Sequence, residues 1–230
     1  MPLVPDKERF QSFVPLAHSM PAVIRDDATE RRILLSDEFS RDTVARALRL
    51  PFHAGIEATD MATFEGEASL VPSAEESLFL SLTTVSAYAI DLSSQFCAAL
   101  GERIEISSAV RDGIETVLHE CVVNAIVHGN LEVNGVEAST IEGLSAITSE
   151  IDRRIGAGLW NSRRLRVALH WDSTMIEAIV QDEGRGYDPA KIKQTSDAMA
   201  SGRGLNLIRQ MTTGFLVEDG GRCHRLRFCR

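Results

Sequence analysis

Residues 75–230 predict an α/β fold, a two-layer sandwich in which a mixed, largely antiparallel sheet carries its helices on one face. Three observations carry that prediction. Strand-like alternation, helical periodicity and turn signals succeed one another along this stretch in the order strand, two helices, hairpin, helix, hairpin. Glycine and proline are segregated: six of the seven prolines lie within residues 1–72, and fourteen of the sixteen glycines lie from Gly101 onward. Two glycine signatures, Asp182-x-Gly184-x-Gly186 and Gly202-Arg203-Gly204, sit at the end of a predicted strand and before a predicted helix, where backbone without a Cβ can approach a ligand closely.

The elements run in order. A boundary is expected near Pro72-Ser73, because residues 77–84 then alternate, with Leu78, Leu80 and Leu82 on one face. A helix is predicted over 86–100, stopped by Gly101, and a second over 108–128. Residues 130–160 read as an insertion with its own helix over 141–155, broken by Gly156 and Gly158. Two strands, 165–171 and 175–181, flank the turn Asp172-Ser173-Thr174 and form a hairpin, so Asp182 emerges at a strand end. A helix over 205–211 and two closing strands, 215–218 and 223–228, joined at Asp219-Gly220-Gly221, complete the sheet.

Residues 1–74 give less. They contain a hairpin pattern, 22–25 with 32–35, and a short helix over 41–50 stopped by Pro51. This is a separate N-terminal region of unassigned fold, with a regulatory or dimer-forming role as the expectation.

Composition narrows the class. With 230 residues, a formal charge of −9 and no apolar run near twenty residues, the chain reads as a soluble cytoplasmic protein with no direct nucleic-acid or membrane partner. The basic stretch Arg153, Arg154, Arg163, Arg164 and Arg166 reads as a solvated face. Cys97, Cys121, Cys223 and Cys229 lack metal or disulfide spacing and read as small buried hydrophobes. His119-Glu120 opens like a zinc-protease helix, but Val123 stands where the second histidine would have to be.

The chemistry concentrates on the second helix. Glu120, Asn124 and His128 are spaced i, i+4 and i+8, so an α-helix places a carboxylate, a carboxamide and an imidazole on one face. A carboxamide oxygen is a hard ligand suited to magnesium, which keeps waters and bridges phosphates. Gly202 and Gly204 precede a helix start where phosphates are favoured, and Arg203 between them has the fork geometry for a phosphate.

Thr116-Val117-x-x-Glu120-x-Val-x-Asn124-Ala125-Ile126-x-His128-Gly129, with the two glycine signatures in the same order, resembles the N, G1 and G2 boxes of the GHKL (Bergerat-fold) ATPase and kinase superfamily. It looks most like bacterial anti-sigma-factor serine/threonine kinases. The resemblance spans roughly residues 75–230 and implies ATP and Mg2+ as ligands. It implies Glu120 as general base, Asn124 as the magnesium ligand and Asp182 as the residue that accepts a hydrogen bond from the adenine amino group. His128, Gly184, Gly186, Gly202, Arg203, Gly204 and Leu205 would line the nucleotide, under a lid formed by residues 187–201. At the start of the last strand, where many members carry an adenine-holding threonine, the matching position is Cys223. A sigma factor or its antagonist protein as partner, and a homodimer, are implied by the same resemblance. Two other readings stay open: a module that sequesters its partner and uses ATP only as a conformational ligand, and the catalytic part of a two-component histidine kinase.

Overall fold

The computed structural model describes residues 22–26, 31–133, 140–188 and 203–230. Its strands form one eight-stranded sheet in the order β1-β2-β3-β4-β5-β6-β8-β7. The expected N-terminal hairpin is present as β1 (Ala22–Asp26) and β2 (Arg31–Ser36), antiparallel with Ala22 opposite Leu35. Helix α1 (Arg41–Leu48) starts where the Ser40 hydroxyl accepts from the Thr43 N–H and ends before Pro51. Two elements are not apparent in the sequence: β3 (Phe52–Glu57), short and containing Gly55, and α2 (Met61–Ala68), capped by Asp60.

β3 pairs in parallel with both β2 and β4 (Ser77–Thr83). The strands before residue 74 therefore extend the same sheet that β4 enters. From β4 onward every pairing is antiparallel: β4 with β5 (Arg164–Trp171), β5 with β6 (Met175–Gln181), and β6 with β8 (Cys223–Cys229), which also pairs β7 (Gly214–Glu218). Burial in β6 alternates strictly, as expected of a strand with one face on the core.

Two cores lie on opposite faces. The front core joins Leu78, Leu80, Leu82, Val167, Ala178, Val180 and Leu226 to α1, α4 (Leu92–Gly101), α5 (Ser108–Asn124) and α7 (Arg203–Met211). The rear core, smaller, joins Ile33, Ile56, Phe79 and Ala168 to Phe64 and Ala68 of α2. Consecutive parallel crossovers thus place α1 on the front and α2 on the rear while stepping in the same direction along the sheet. They have opposite hands, and one is the uncommon left-handed kind.

The helix expected over 86–100 is interrupted. It divides into α3 (Thr84–Tyr88) and α4, and the Asp91 carboxylate accepts from the Ser94 N–H at the break. An aspartate three residues before a bonded amide is an N-cap signal. The inserted helix α6 (Ile141–Ala157) starts at Thr140 and ends at Gly158, whose φ of +74° only glycine adopts cheaply. Ile147, Ile151 and Ile155 seat it on the front core.

Candidate functional site

α5 supplies the first part of the site. Ser107 caps it, and Ile114, Val117, Leu118 and Cys121 bury one stripe against the sheet. Glu120 and Asn124, one turn apart, stand half-buried at the edge of that stripe. Past Asn124 the helix widens into a π-helical turn, Ala125–Asn130, instead of continuing as α-helix to residue 128. A π turn holds more residues per turn than an α turn and rotates the side chains beyond it out of α-helical phase. His128 is exposed, and its Nδ1 donates to the Val133 carbonyl at 2.6 Å. It ties down the chain beyond the turn, while Glu120 and Asn124 are brought to α7.

Gly204 in the first turn of α7 packs directly on those two residues. A Cβ at this position would lie 2.7 Å from Glu120 Oε2 and 3.7 Å from Asn124 Nδ2. Leu205 and Ile208 hold α7 in the front core, which sets that approach. Arg203 is the first residue of α7. Gly202, and residues 189–201 of the expected lid with Lys191 and Lys193, lie outside the described residues.

The Asp182 loop is the third part. The Asp182 N–H still donates to Arg222 O at 3.0 Å, extending the ladder by one residue, and its Oδ1 accepts from the Gly184 N–H at 2.7 Å. Asp182 is buried, and burial pushes its carboxyl up to about 6 despite that bond. Glycines make the burial possible. A Cβ on Gly129 would sit 2.5 Å from the Asp182 carboxyl carbon, and one on Gly184 would sit 2.3 Å from the Gly129 carbonyl oxygen. Gly186 turns with φ +69° against the Gly220 carbonyl.

Several residues that sequence reasoning missed hold these parts together. Asn130 is fully buried; its Nδ2 donates to Arg164 O at 3.0 Å and its Oδ1 accepts from the Glu183 N–H at 2.8 Å. Its signal was the Gly129-Asn130 pair ending the box, where an amide can bond two backbones at once. Glu183 in turn accepts from the Arg164 N–H at 2.9 Å and from the Arg166 guanidinium at 2.7 Å. The arginines read as a solvated face divide accordingly: Arg153 is surface-paired with Glu150, whereas Arg164 is buried and Arg166 nearly so.

Strand alternation turns the first two residues of β8 to opposite sides of the sheet. Cys223 shares its side of the sheet with Arg225, and its thiol faces Glu218. His224, opposite Val180, faces the front instead, its Nε2 hydrogen-bonded to the Tyr187 hydroxyl at 2.8 Å and its ring edge-on to Tyr187 and Phe215. Burial lowers this imidazole to about 4, so it is neutral. Cys97, Cys121 and Cys223 are buried as expected, with the first two thiols pushed up to about 12, but Cys229 is exposed.

A buried acidic acceptor at a strand end, a glycine cradle and a helix N-terminus facing a carboxylate and a carboxamide define a nucleotide-binding α/β domain. Residues 87–229 match the histidine kinase-like ATPase domain family, well over half of the 230 residues, and the chain belongs to that family of GHKL-type, ATP-binding domains. No curated protein matches the chain. Among the described residues no helix is long and apolar enough to cross a membrane. The residues present fit a nucleotide: the Asp182 carboxylate, held in place by the close packing of Gly129 and Gly184 around it, is an acceptor suited to an exocyclic amine.

Proposed function

We propose that the chain is an ATP-dependent serine/threonine protein kinase of the anti-sigma-factor type, acting on an antagonist protein in the cytoplasm as a homodimer. The observation that carries the reading is the approach of Gly204 to Glu120 and Asn124, which joins a helix N-terminus to a base and a hard oxygen donor. Asp182 would accept the adenine amino group, and Gly184, Gly186, Gly202, Arg203 and Gly204 would border the phosphates. Asn124 would hold magnesium, which neutralises phosphate charge when bound. Glu120 would take the proton of the attacking serine hydroxyl as its oxygen bonds to the γ-phosphorus and the bond to the ADP oxygen breaks.

The test is phosphoryl transfer from γ-labelled ATP to purified antagonist-type proteins and to a host extract. Labelled protein with the wild type and none with Glu120→Gln, at equal ATP affinity, supports the kinase reading. Equal ATP affinity with no labelled protein in either case turns the assignment to ATP-dependent sequestration.

A further inference from the structure

The rear face of the sheet holds a charge network that reaches the nucleotide loop. Glu67 of α2 is buried, and its two oxygens accept from Arg166 Nε at 2.7 Å and from an Arg166 terminal nitrogen at 2.6 Å, while the Ser81 hydroxyl donates to it at 2.7 Å. That same Arg166 nitrogen donates to Glu183 at 2.7 Å. Arg164, buried beside them, donates to the Ser81 carbonyl at 2.7 Å and lies 3.9 Å from Glu67. Two carboxylates and two guanidiniums therefore balance. Glu183 stands between Asp182 and Gly184, and its N–H is the one held by Asn130.

We infer that Glu67 and Arg166 are positioning residues that couple α2, which lies outside the matched ATPase segment, to the nucleotide loop at residues 182–184. The inference rests on the nucleotide-binding reading of that loop. The chain Glu67–Arg166–Glu183 is geometrically committed: a bidentate carboxylate–guanidinium pair fixes the plane of Arg166, and its remaining contact fixes the Glu183 side chain. Asn130 holds the loop from the front through the backbone, and Arg166 holds it from the rear through the side chain. A shift of α2 displaces the Arg166 support and leaves the loop on Asn130, the Arg164 N–H and the Arg222 carbonyl alone. Residues 61–68 thus bias nucleotide affinity from the opposite face of the sheet, and nucleotide binding, by reciprocity, steadies α2.

The test uses the full chain and ADP. Calorimetry on Glu67→Gln and Glu183→Gln should each show ADP affinity reduced about tenfold, within the range typical of coupled sites. The double variant should lose no more than the stronger single, since both cut one chain. Glu57→Gln is the control: among the described residues this buried carboxylate in the N-terminal region hydrogen-bonds Thr83 and Ser86 and reaches the network only through its charge on Arg164, so ADP affinity should change far less than with Glu67→Gln. Hydrogen exchange on the wild type needs no variant to fold, and ADP should slow exchange in residues 64–68. Wild-type binding that is unaffected by both substitutions, additive losses, or α2 exchange indifferent to ADP overturns the coupling alone. No ADP binding by the wild type overturns the nucleotide reading and the coupling with it.

Discussion

The two faces of β4 and β5 are built on opposite principles. On the front, Leu78, Leu80, Leu82, Leu165, Val167 and Leu169 form a continuous apolar layer under the ATPase helices. On the rear, Phe79 and Ala168 are apolar, but Ser81 and Arg164, buried, and Arg166, largely buried, stand charged or polar under α2 at the nucleotide end of the same strands. An apolar layer stabilises in proportion to area and tolerates small slips. A buried ion network contributes little net stability but permits one geometry, since each misplaced charge is costly. The front face holds the domain together, and the rear face sets where its loop stands.

The sharpest way to break that contrast is at the site itself. Asn124→Ala should abolish magnesium-dependent nucleotide binding while leaving the fold intact; calorimetry with and without magnesium reads it, and unchanged binding would sink the assignment. Next in size, Arg166→Met should cost about 3–5 kcal/mol in urea unfolding, because it leaves the Glu67 carboxylate buried with its main partner gone. Adding Glu67→Met should restore most of that stability without restoring ADP affinity. Leu80→Ala on the front, at a residue 1% exposed, should cost about 2–5 kcal/mol and leave ADP affinity unaltered in the folded protein.

The smallest effect is in pH dependence. Asp182, raised from 3.8 to about 6, binds its proton more tightly folded than unfolded, so its contribution falls as pH rises from about 4 to 6 and stays low above. His224, lowered from 6.5 to about 4, does the reverse: the unfolded chain binds the extra proton, and stability rises from about pH 4 to 6.5. In the ligand-free wild type the two slopes oppose each other. Asp182→Asn should stabilise the ligand-free protein above pH 6 by at most about 3 kcal/mol, expose the His224 slope, and abolish adenine selectivity. A flat stability profile between pH 4 and 6.5 in that variant would refute the assignment of the His224 slope.

Legibility in the sequence tracks local periodicity. The hairpin β5–β6 is readable because Leu165, Val167 and Leu169 alternate and Asp172-Ser173-Thr174 turns; that turn sets its register, with Arg166 opposite Gln181. The β1–β2 pairing is readable for the same reason. The break between α3 and α4 is not, since Tyr88, Leu92 and Phe96 keep the i, i+4 helical spacing across a cap at Asp91. β3 is hidden because Gly55 and His53 interrupt its apolar run, and Gly55 is required there: a Cβ would meet Ala47 at 2.7 Å and Leu80 at 2.8 Å, contacts made only after folding.

The sequence by itself determined the order of most elements and the residues that carry the chemistry, because helix spacing, strand alternation and glycine backbone freedom are local properties of consecutive residues. Only the tertiary structure decided that β1, β2 and β3 continue the same sheet, that α2 lies behind it, that His224 and not Cys223 faces the front, and that the basic stretch divides into surface and buried arginines. Those outcomes depend on which strand edges pair and which charges meet across about a hundred residues, as Glu67 and Arg166 do. Local pattern carries no record of such distant partners.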